Sequence, residues 1–345
     1  MDKRVILAVA GSGKTSYIID SLRSSNRSLV VTYTENNYKN LHNRIVAEYR
    51  CIPERIRLYT YFSFLYSFCV RPFLADELGI RGINWDEPPI YTRRIKRTEN
   101  RYYLNKRQRL YYNRMAGLLQ IKGVVPNIKR RLSKYFDSFF VDEVQDFAGH
   151  DYNFLCDLPS AGVYTVLLGD FWQHTYDTSR DGNVNKNLHK DLDSYKCKLK
   201  GQGYEVDVTS LCKSYRCSPT VCDFVSQKIG IDIESHRDVE TKFEYVDTAA
   251  RADQLFHQTD IIKLFYQSHQ KYPCFSNNWG ASKGIDSYGS VCVVLNNKTD
   301  DHYKKGRLTS LAPMTKNKLY VACTRSREDL YFVPEKYYRK YKTGC

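Results

Sequence analysis

The sequence of 345 residues lacks any uninterrupted run of about 18 apolar residues, the length at which a helix can cross a bilayer. We also find no charged and then apolar secretion signal before Lys14, because the apolar run that follows Lys3 and Arg4 is too short for one. We therefore expect a soluble, cytoplasmic protein without a membrane partner. No repeat of fixed short period and no low-complexity tract is present, and the length allows two domains that each bury a core.

A zinc-ligating spacing is also missing, although the chain has 11 cysteines. Cys212, Cys217 and Cys222 recur every five residues, which does not match the spacing of a zinc site. The other cysteines are scattered along the chain, as is usual for reduced thiols in a cytosolic protein. We expect no metal or cluster at these cysteines.

Acidic residues are too few to balance the basic ones, since 38 Asp and Glu stand against 53 Lys and Arg and give a formal charge of +15. This excess favours a polyanionic partner over an acidic small substrate, although net charge alone does not identify nucleic acid. One stretch concentrates the positive charge and contains a single acid, Glu99. Its basic residues are Arg93, Arg94, Lys96, Arg97, Arg101, Lys106, Arg107, Arg109 and Arg114.

Four tyrosines alternate with these basic residues, namely Tyr102, Tyr103, Tyr111 and Tyr112. Cations that bind phosphates and aromatic rings that stack on bases are the two components of single-strand binding. We predict that Arg97, Arg101 and Arg107 contact nucleic acid. The alternative is a solvated basic helix face.

Strand patterns followed by helix patterns recur along the chain. The predicted strands are 5–10, 28–32, 139–141, 164–168, 290–295 and 330–333, and the predicted helices are 14–22, 35–49, 219–228 and 316–324. This alternation predicts an α/β fold with parallel sheets, in which ligands bind at the carboxyl ends of the strands. A polar stretch that contains Gly and Asn, 177–203, is the predicted domain boundary.

The stretch AVAGSGKTSY (8–17) follows a short apolar run and fits the phosphate-loop pattern G-x-x-x-x-G-K-[ST], except that Ala8 occupies the first glycine position. Backbone N–H groups at the start of a helix favour an anion. Lys14 is placed to reach the β- and γ-phosphates of a nucleotide, and Thr15 to hold Mg²⁺. The predicted nucleotide-binding residues of this loop are Ala10, Gly11, Ser12, Gly13, Lys14 and Thr15.

A pair of acids follows the apolar strand in FFVDEVQDF (139–147). In this position Asp142 would hold Mg²⁺, directly or through water, and Glu143 would polarise the attacking water. An Asp-Glu pair after an apolar strand is common, so its meaning depends on the other motifs.

Those motifs resemble the UvrD/Rep-type superfamily 1 DNA helicases, because eight segments are similar to that family's motifs and occur in the family's order. They are AVAGSGKT (8–15), VVTYTENN (30–37), TYFSF (60–64), VDEVQD (141–146), LLGDFWQ (167–173), SYRCS (214–218), SKGID (282–286) and LYVACTRSREDLYF (319–332). The resemblance implies two RecA-like P-loop NTPase domains with parallel sheets. The first domain would span 1–190 with a small, basic helical insertion at about 72–134, and the second would span 204–345 and carry arginine fingers.

The resemblance also implies roles for single residues. Gln173 would sense the γ-phosphate, Arg216 and Arg325 would be the arginine fingers, and Asp286 stands where the family has a glutamate that contacts ribose. The residues that would contact DNA are Thr32, Tyr33, Asn36, Tyr61, Phe62, Trp172 and Lys283. We expect Phe64 and Phe68 to be core residues instead.

The implied function is an ATP- and Mg²⁺-dependent translocase on single-stranded DNA, or on DNA with a single-stranded tail, that moves 3′ to 5′ and unwinds duplexes. The protein would then be found in the cytoplasm or with DNA in the host cell. The alternative is a nucleotide-controlled DNA-sensing subunit that regulates a partner nuclease without processive unwinding. An RNA helicase is a third possibility.

Two departures from the family's pattern limit the resemblance. Only seven residues precede Ala8, where the family carries a glutamine motif that reads adenine, so the choice between ATP and GTP stays open. The stretch from Arg216 to Lys283 is too short for the large subdomain that full family members insert there. We therefore expect a reduced motor core.

Overall fold

The structure, a computed structural model, describes residues 3–24, 27–159, 162–175 and 182–343. The chain forms two compact units. The first consists of Met1–Ile6, Lys14–Gly169 and Asp177–Asp207, and the second of Leu7–Gly13, Asp170–Tyr176 and Val208–Cys345. A parallel sheet with flanking helices lies in each unit, which confirms the predicted α/β class with two parallel-sheet domains.

The first unit is built on a six-stranded sheet in the order β3-β2-β6-β7-β1-β8, and a separate parallel pair joins β4 to β5. The β2–β3, β2–β6, β6–β7 and β1–β8 pairs of the large sheet are parallel. The strands are β1 (Lys3–Leu7), β2 (Ser28–Thr32), β3 (Ile56–Thr60), β4 (Ile83–Asn84), β5 (Leu110–Tyr111), β6 (Ser138–Val141), β7 (Tyr164–Gly169) and β8 (Glu205–Asp207).

Nine α-helices lie in the described part of this unit. They are α1 (Lys14–Ser24), α2 (Glu35–Tyr49), α3 (Tyr61–Phe64), α4 (Arg71–Leu78), α5 (Asn100–Tyr103), α6 (Met115–Ile121), α7 (Val125–Tyr135), α8 (Gly149–Asp157) and α9 (Leu192–Gly201). Helix α2 begins at the N-cap Thr34, whose side chain accepts a hydrogen bond from the N–H of Asn37, and it ends at Arg50 in the left-handed conformation.

The central strands of the first sheet are buried along their whole length, which explains their nearly continuous apolar sequences. Every residue of β2 and β6 is buried, as is typical of parallel strands covered on both faces. The one polar pair at their start is satisfied internally, since the hydroxyls of Ser28 and Ser138 lie 2.9 Å apart and share a hydrogen bond. Phe64 and Phe68 are also buried, which confirms that they are core residues.

The second unit contains a five-stranded sheet in the order β11-β15-β14-β12-β13, with every neighbouring pair parallel. Its strands, with those of a small parallel pair, are β9 (Lys213–Ser214), β10 (Glu234–Ser235), β11 (Phe243–Tyr245), β12 (Ile262–Phe265), β13 (Ser276–Asn278), β14 (Val291–Leu295) and β15 (Leu330–Pro334). Its helices are α10 (Pro219–Phe224), α11 (Ala249–His257), α12 (Asn297–Lys304) and α13 (Pro313–Cys323).

The stretch predicted as a domain boundary, 177–203, is part of the first unit. Its first residues, 177–181, lie outside the described residues, but it contains α9 and leads into β8 at the edge of the first sheet. The predicted domain limits of 1–190, 204–345 and about 72–134 stay a prediction. In the described part of the chain, no helix combines the length and apolar character that crossing a bilayer requires.

Candidate functional site

The loop after β1 has the backbone of a phosphate loop. Gly11 and Gly13 have φ angles of 72° and 90°, a region that glycine adopts without the strain a side chain would cause. A Cβ on Gly11 would lie 2.7 Å from Cβ of Arg216 and 2.8 Å from Oγ of Ser214, so no larger residue fits there. Helix α1 begins directly after this loop, at Lys14.

Ser12, between these glycines, is almost completely buried, and its hydroxyl has no hydrogen-bond partner among the described residues. A buried hydroxyl without a partner costs free energy, on the order of 1 to 3 kcal/mol in proteins. A polar ligand such as a phosphate would remove this cost. The loop therefore fits the nucleotide that its sequence predicts.

The backbone N–H of Ala10 forms a hydrogen bond within the protein, and nucleotide binding by this residue stays a prediction. This N–H donates a hydrogen bond of 2.9 Å to Oη of Tyr320 in α13. The Tyr320 hydroxyl donates in turn to Oδ2 of Asp170 at 2.9 Å, and burial raises the pKa of this tyrosine well above its usual value. Nε2 of Gln173 donates to the same Asp170 oxygen at 2.9 Å. The predicted γ-phosphate sensor is thus connected through Asp170 and Tyr320 to the start of the phosphate loop.

The two predicted acids after β6 are buried in the first unit, with exposed fractions of 4% for Asp142 and 8% for Glu143. The N–H of Asp142 donates to the carbonyl of Val31 at the end of β2, and Oδ1 of Asp142 accepts from the N–H of Glu143 at 3.0 Å. Glu143 has a φ of 58°, an uncommon conformation for a residue with a side chain. Strain of this kind is frequent at active sites, where it fixes the direction of a functional group.

Gln145 and Gly169 complete the surroundings of Glu143. Nε2 of Gln145 donates a hydrogen bond to Oε2 of Glu143. A Cβ on Gly169 would lie 2.3 Å from Oε1 of Gln145 and 2.7 Å from Cγ1 of Val144. Only glycine at 169 therefore allows the turn that carries the acids to pack against the end of β7.

The two predicted arginine fingers lie together in the second unit. Arg216 and Arg325 have exposed fractions of only 8% and 1%, and Nη2 of Arg216 and Nη1 of Arg325 both face Oδ1 of Asp286, the latter at 3.6 Å. Arg216 also donates to the carbonyl of Thr324 at 3.1 Å, and Arg325 to that of Ile285 at 3.2 Å. Nε of Arg216 has no partner among the described residues.

Positive charge exceeds negative charge in this cluster, since two guanidinium groups share one carboxylate. Burial and, secondly, the charge of Arg216 lower the pKa of Arg325 to about 10. A buried cation is stabilised only when an anion compensates it. The cluster is therefore suited to bind a further anion, and it lies in the same unit as Gly11, whose Cβ position faces Arg216.

Asp286, which is predicted to contact ribose, has its carboxylate paired with Arg216 and Arg325 in the structure. Aspartate is one methylene shorter than the glutamate of the resembled family. In this conformation it orients the arginines, and ribose binding stays a prediction. Lys283 of the same motif is partly exposed, and its backbone N–H donates to the carbonyl of Gly280 at 3.3 Å.

One residue of this site was missed in the sequence. The Tyr215 N–H donates to the carbonyl of Gly11 at 2.9 Å, and its ring stacks on that of His236 with centroids 4.0 Å apart and an angle of 13°. Although its backbone is bonded to Gly11 and its ring stacks on His236, Tyr215 is 62% exposed. An exposed, fixed aromatic ring beside a phosphate loop is suited to stack on a nucleotide base. Its signal in the sequence was an aromatic residue directly before Arg216.

The predicted nucleic-acid residues at the ends of β2 and β3 fall into two groups. Asn36 is exposed, and Tyr33 and Phe62 are partly exposed, with ring centroids 5.7 Å apart. Thr32 and Tyr61 are completely buried. The Tyr61 ring packs against Phe147 at 4.7 Å and is not available to a base, which corrects the expectation that it stacks. Periodicity could not separate Tyr61 from Phe62, because both belong to a helix of four residues.

Trp172, the remaining predicted stacking residue, is partly exposed and lies in the second unit. Nζ of Lys316 is 4.9 Å from its ring centroid, a cation–π contact. The N–H of Trp172 donates to Oδ1 of Asp170 at 3.1 Å, so the acid that holds Gln173 also fixes the tryptophan backbone.

Only some residues of the basic stretch are exposed. Arg97, Arg101 and Arg107 are exposed, but Arg101 forms an ion pair of 2.7 Å with Glu99. Arg114 is buried, with its guanidinium carbon 3.8 Å from the ring centroid of Tyr102, which is a structural role. The tyrosines Tyr102, Tyr103 and Tyr111 are buried as well, which leaves only Tyr112 partly exposed.

The residues present fit a magnesium ion that is shared with phosphates. Among the described residues, no group of three or more His, Cys, Asp or Glu side chains could hold a metal by itself. Mg²⁺ is usually held by one or two protein ligands together with water and substrate phosphates. Thr15 at the start of α1 and Asp142 at the end of β6 are ligands of that kind.

Parallel strands with a phosphate-loop sequence after β1 and a buried acidic pair after β6 are typical of P-loop nucleotide-binding proteins. The family model of the viral superfamily 1 RNA helicase core domain matches residues 117–334, more than half of the chain, and the chain belongs to this family. The predicted membership of superfamily 1 is thereby confirmed. The match contains the acids, Gln173 and both arginines, whereas the phosphate loop precedes it.

Solved structures show the same fold. An arterivirus nonstructural protein 10 (helicase) in complex with DNA has a TM-score of 0.50 and 14% identity, over 96% of this chain and 60% of that chain. A crystal structure of arterivirus nonstructural protein 10 (helicase) has a TM-score of 0.50 and 12% identity, over 97% of this chain and 62% of that chain. The chain thus spans about three fifths of the length of these structures. No curated protein matches the sequence.

Proposed function

We propose that this chain is a motor core that hydrolyses ATP and uses the energy to move along single-stranded nucleic acid. The observation that carries the proposal is the pair of buried arginines, Arg216 and Arg325, which share one carboxylate beside Gly11 of the phosphate loop. Such an excess of buried positive charge has a clear use as a site for phosphates. Membership of a helicase family supports the coupling of this site to nucleic acid.

Each residue has a defined part in the proposed hydrolysis. Lys14 binds the β- and γ-phosphates, and Glu143 accepts a proton from the attacking water. Arg216 and Arg325 stabilise the negative charge that develops on the transferred phosphoryl group. Thr15 and Asp142 hold Mg²⁺, which neutralises phosphate charge when it is bound.

Gln173 connects hydrolysis to nucleic-acid binding in this proposal. It donates to Asp170, which also fixes the backbone of Trp172, so a change at the γ-phosphate would reach a residue predicted to contact nucleic acid. We propose single-stranded DNA, or DNA with a single-stranded tail, as the substrate and 3′ to 5′ as the direction, as the UvrD/Rep-type resemblance implies. The solved relative with DNA supports DNA binding, and the name of the matched family makes RNA the alternative.

Steady-state ATP hydrolysis with single-stranded DNA, single-stranded RNA and duplex DNA tests this function. We expect single strands to stimulate hydrolysis and duplex to have little effect. Strand displacement from 3′-tailed and 5′-tailed duplexes gives the direction, and we expect a monomer to unwind only short duplexes. Hydrolysis that no nucleic acid stimulates would contradict the proposal. Stimulation without displacement, together with a co-purifying nuclease, would favour the DNA-sensing subunit.

Replacing Tyr215 by alanine is expected to raise KM for ATP about fivefold while kcat changes little, because the loss of one aromatic stack costs about 1 kcal/mol in the ground and transition states alike. Steady-state kinetics with ATP and GTP measure the effect. Tyr215→Phe keeps the ring and should retain the wild-type KM. An unchanged KM in Tyr215→Ala would show that the exposed ring does not contact the base.

A further inference from the structure

An exposed tryptophan stands on the small two-stranded pair of the first unit. Trp85 follows β4 directly and is 61% exposed. Ile90 and Tyr91, which follow within six residues, are 79% and 61% exposed. Single exposed apolar residues are ordinary, but three large ones in so short a stretch are typical of a segment that takes part in an interaction.

The ring of Trp85 is held in place by packing, although most of the residue is exposed. It stacks on Tyr112 with centroids 6.1 Å apart and an angle of 29°, and it meets Phe62 edge-on at 5.3 Å. The strand register explains the first contact. Asn84 pairs with Tyr111 in the β4–β5 ladder, so the residues that follow them lie side by side.

Tyr112 is fixed from its other end. Its hydroxyl donates to Oε1 of Glu87 at 2.6 Å, and Nδ2 of Asn113 donates to Oε2 of the same carboxylate at 3.4 Å. Burial and the hydrogen bond to Glu87 raise the pKa of Tyr112 to about 12. The tryptophan therefore rests on a rigid support, which lowers the entropy lost when it binds a planar ligand.

The aromatic contacts continue from Trp85 to the ends of the large sheet. Phe62, which touches Trp85, also lies 5.6 Å from Tyr112 and 5.7 Å from Tyr33. Tyr33 and Phe62 are the partly exposed residues at the ends of β2 and β3 that the sequence predicts to contact nucleic acid. One line of aromatic rings thus runs from the predicted nucleic-acid contacts to the exposed tryptophan.

We propose that Trp85 is a base-stacking residue, and that the path of the single strand continues from Tyr33 and Phe62 onto the pair formed by β4 and β5. This inference rests on the proposed function and adds a contact to it. The occupant is an unpaired base of a single strand, because a rigid exposed ring stacks on every base regardless of sequence. Charge supports this occupant, since Arg93 and Arg94 on the following turn are exposed and can bind phosphates.

The acids next to Trp85 indicate how the strand is oriented there. Asp86 and Glu87 directly follow Trp85 in the sequence. The carboxylate of Glu87 accepts hydrogen bonds from Tyr112 and Asn113. Carboxylates repel phosphates, so the contact at this point is made by the base, and the phosphates are bound at the arginines that follow. A protein partner that docks through the same segment is the alternative, and the test below separates the two.

The test compares the binding of fluorescently labelled oligo(dT) and oligo(rU) by the wild-type protein, Trp85→Ala and Trp85→Phe. We expect Trp85→Ala to bind about tenfold more weakly, the effect of losing one stacked base, and Trp85→Phe to stay within about threefold of wild type. The matched control is Phe275→Ala, which removes a ring that is 49% exposed on the second unit and should leave binding unchanged. Thermal unfolding confirms that the variants are folded.

A second measurement does not depend on a variant. Ultraviolet crosslinking of the wild-type protein to an oligonucleotide that carries 5-iodouracil should label the peptide that contains Trp85. If Trp85→Ala binds the oligonucleotides as tightly as the wild-type protein does, the inference is overturned and the proposed function stays intact. Crosslinks confined to other peptides would have the same consequence. A wild-type protein that binds neither oligonucleotide would overturn the proposed function and this inference together.

Discussion

Alanine at Arg216 or at Arg325 is expected to lower kcat for ATP hydrolysis by about 10³-fold or more, the effect of removing an arginine that acts on a phosphoryl transition state. Nucleotide affinity should fall by a much smaller factor, because Lys14 and the loop amides still bind the ground state. The reason lies in geometry as well as charge. Both guanidinium groups are buried against Asp286, so each is oriented before the substrate arrives and loses little entropy in the transition state.

Single-turnover hydrolysis and the binding of a fluorescent ATP analogue measure the two effects separately. Arg339→Ala is a suitable control, since Arg339 is exposed in the same unit and its guanidinium donates a hydrogen bond to the side chain of Asn297. Lysine at 216 or 325 should restore little activity, because an ammonium cannot reproduce a planar guanidinium with several donors. Wild-type turnover in either alanine variant would show that the buried pair does not act on the phosphates.

The strands and helices nearest the motifs were predictable because their sequences are locally unambiguous. The structure confirms the predicted strand Ser28–Thr32 and the helix Glu35–Tyr49 that follows it. The apolar run of the strand suits burial on both faces, and Thr34 and Asn37 give the helix a clear start. The strand at 5–10 was predicted too far along the chain, since β1 ends at Leu7 and the phosphate loop begins earlier.

Other parts of the sheets were not visible in the sequence. Strand β8 has the sequence EVD, and β12 carries the completely buried Lys263 in its centre. Nζ of Lys263 donates to the carbonyl of Ile261 at 2.9 Å, so its burial is compensated by a contact that only the folded chain provides. Pattern arguments assign such residues to the surface.

The candidate site shows the same division. The motifs predict Lys14, the acids and both arginines as site residues, because each residue type has a fixed relation to its strand or helix. The motifs could not show that Asp286 pairs with the arginines, that Tyr215 is held beside Gly11, or that Tyr61 is buried while Phe62 is not. These facts depend on tertiary packing between segments far apart in the chain.

Lys14→Ala and Glu143→Gln should both abolish most ATP hydrolysis. We expect them to differ in nucleotide binding, since only Glu143→Gln should still bind ATP tightly. Lys14→Ala removes the charge that holds the β- and γ-phosphates, so ATP affinity and turnover should fall together. Glu143→Gln removes only the general base, which contributes about 10² to 10⁴ in rate, and keeps the shape of the side chain. Glu143 has a strained backbone, and its side chain accepts a hydrogen bond from Gln145. Glutamine has the same shape as glutamate, so we expect Glu143→Gln to preserve the turn after β6.

Glu143→Gln should therefore accumulate in the ATP-bound form and bind single strands more tightly in the presence of ATP than in the presence of ADP. Lys14→Ala should show the same affinity for single strands with either nucleotide. Fluorescence anisotropy with a labelled single strand in each nucleotide measures this. Lys39→Ala and Glu54→Gln, which change exposed residues of the same unit, should match the wild-type protein in both assays. Undiminished steady-state hydrolysis in Lys14→Ala or Glu143→Gln would rule out the assigned roles. If Glu143→Gln binds the single strand equally tightly with ATP and with ADP, the nucleotide state at the buried acids does not affect nucleic-acid binding, even if these acids catalyse hydrolysis.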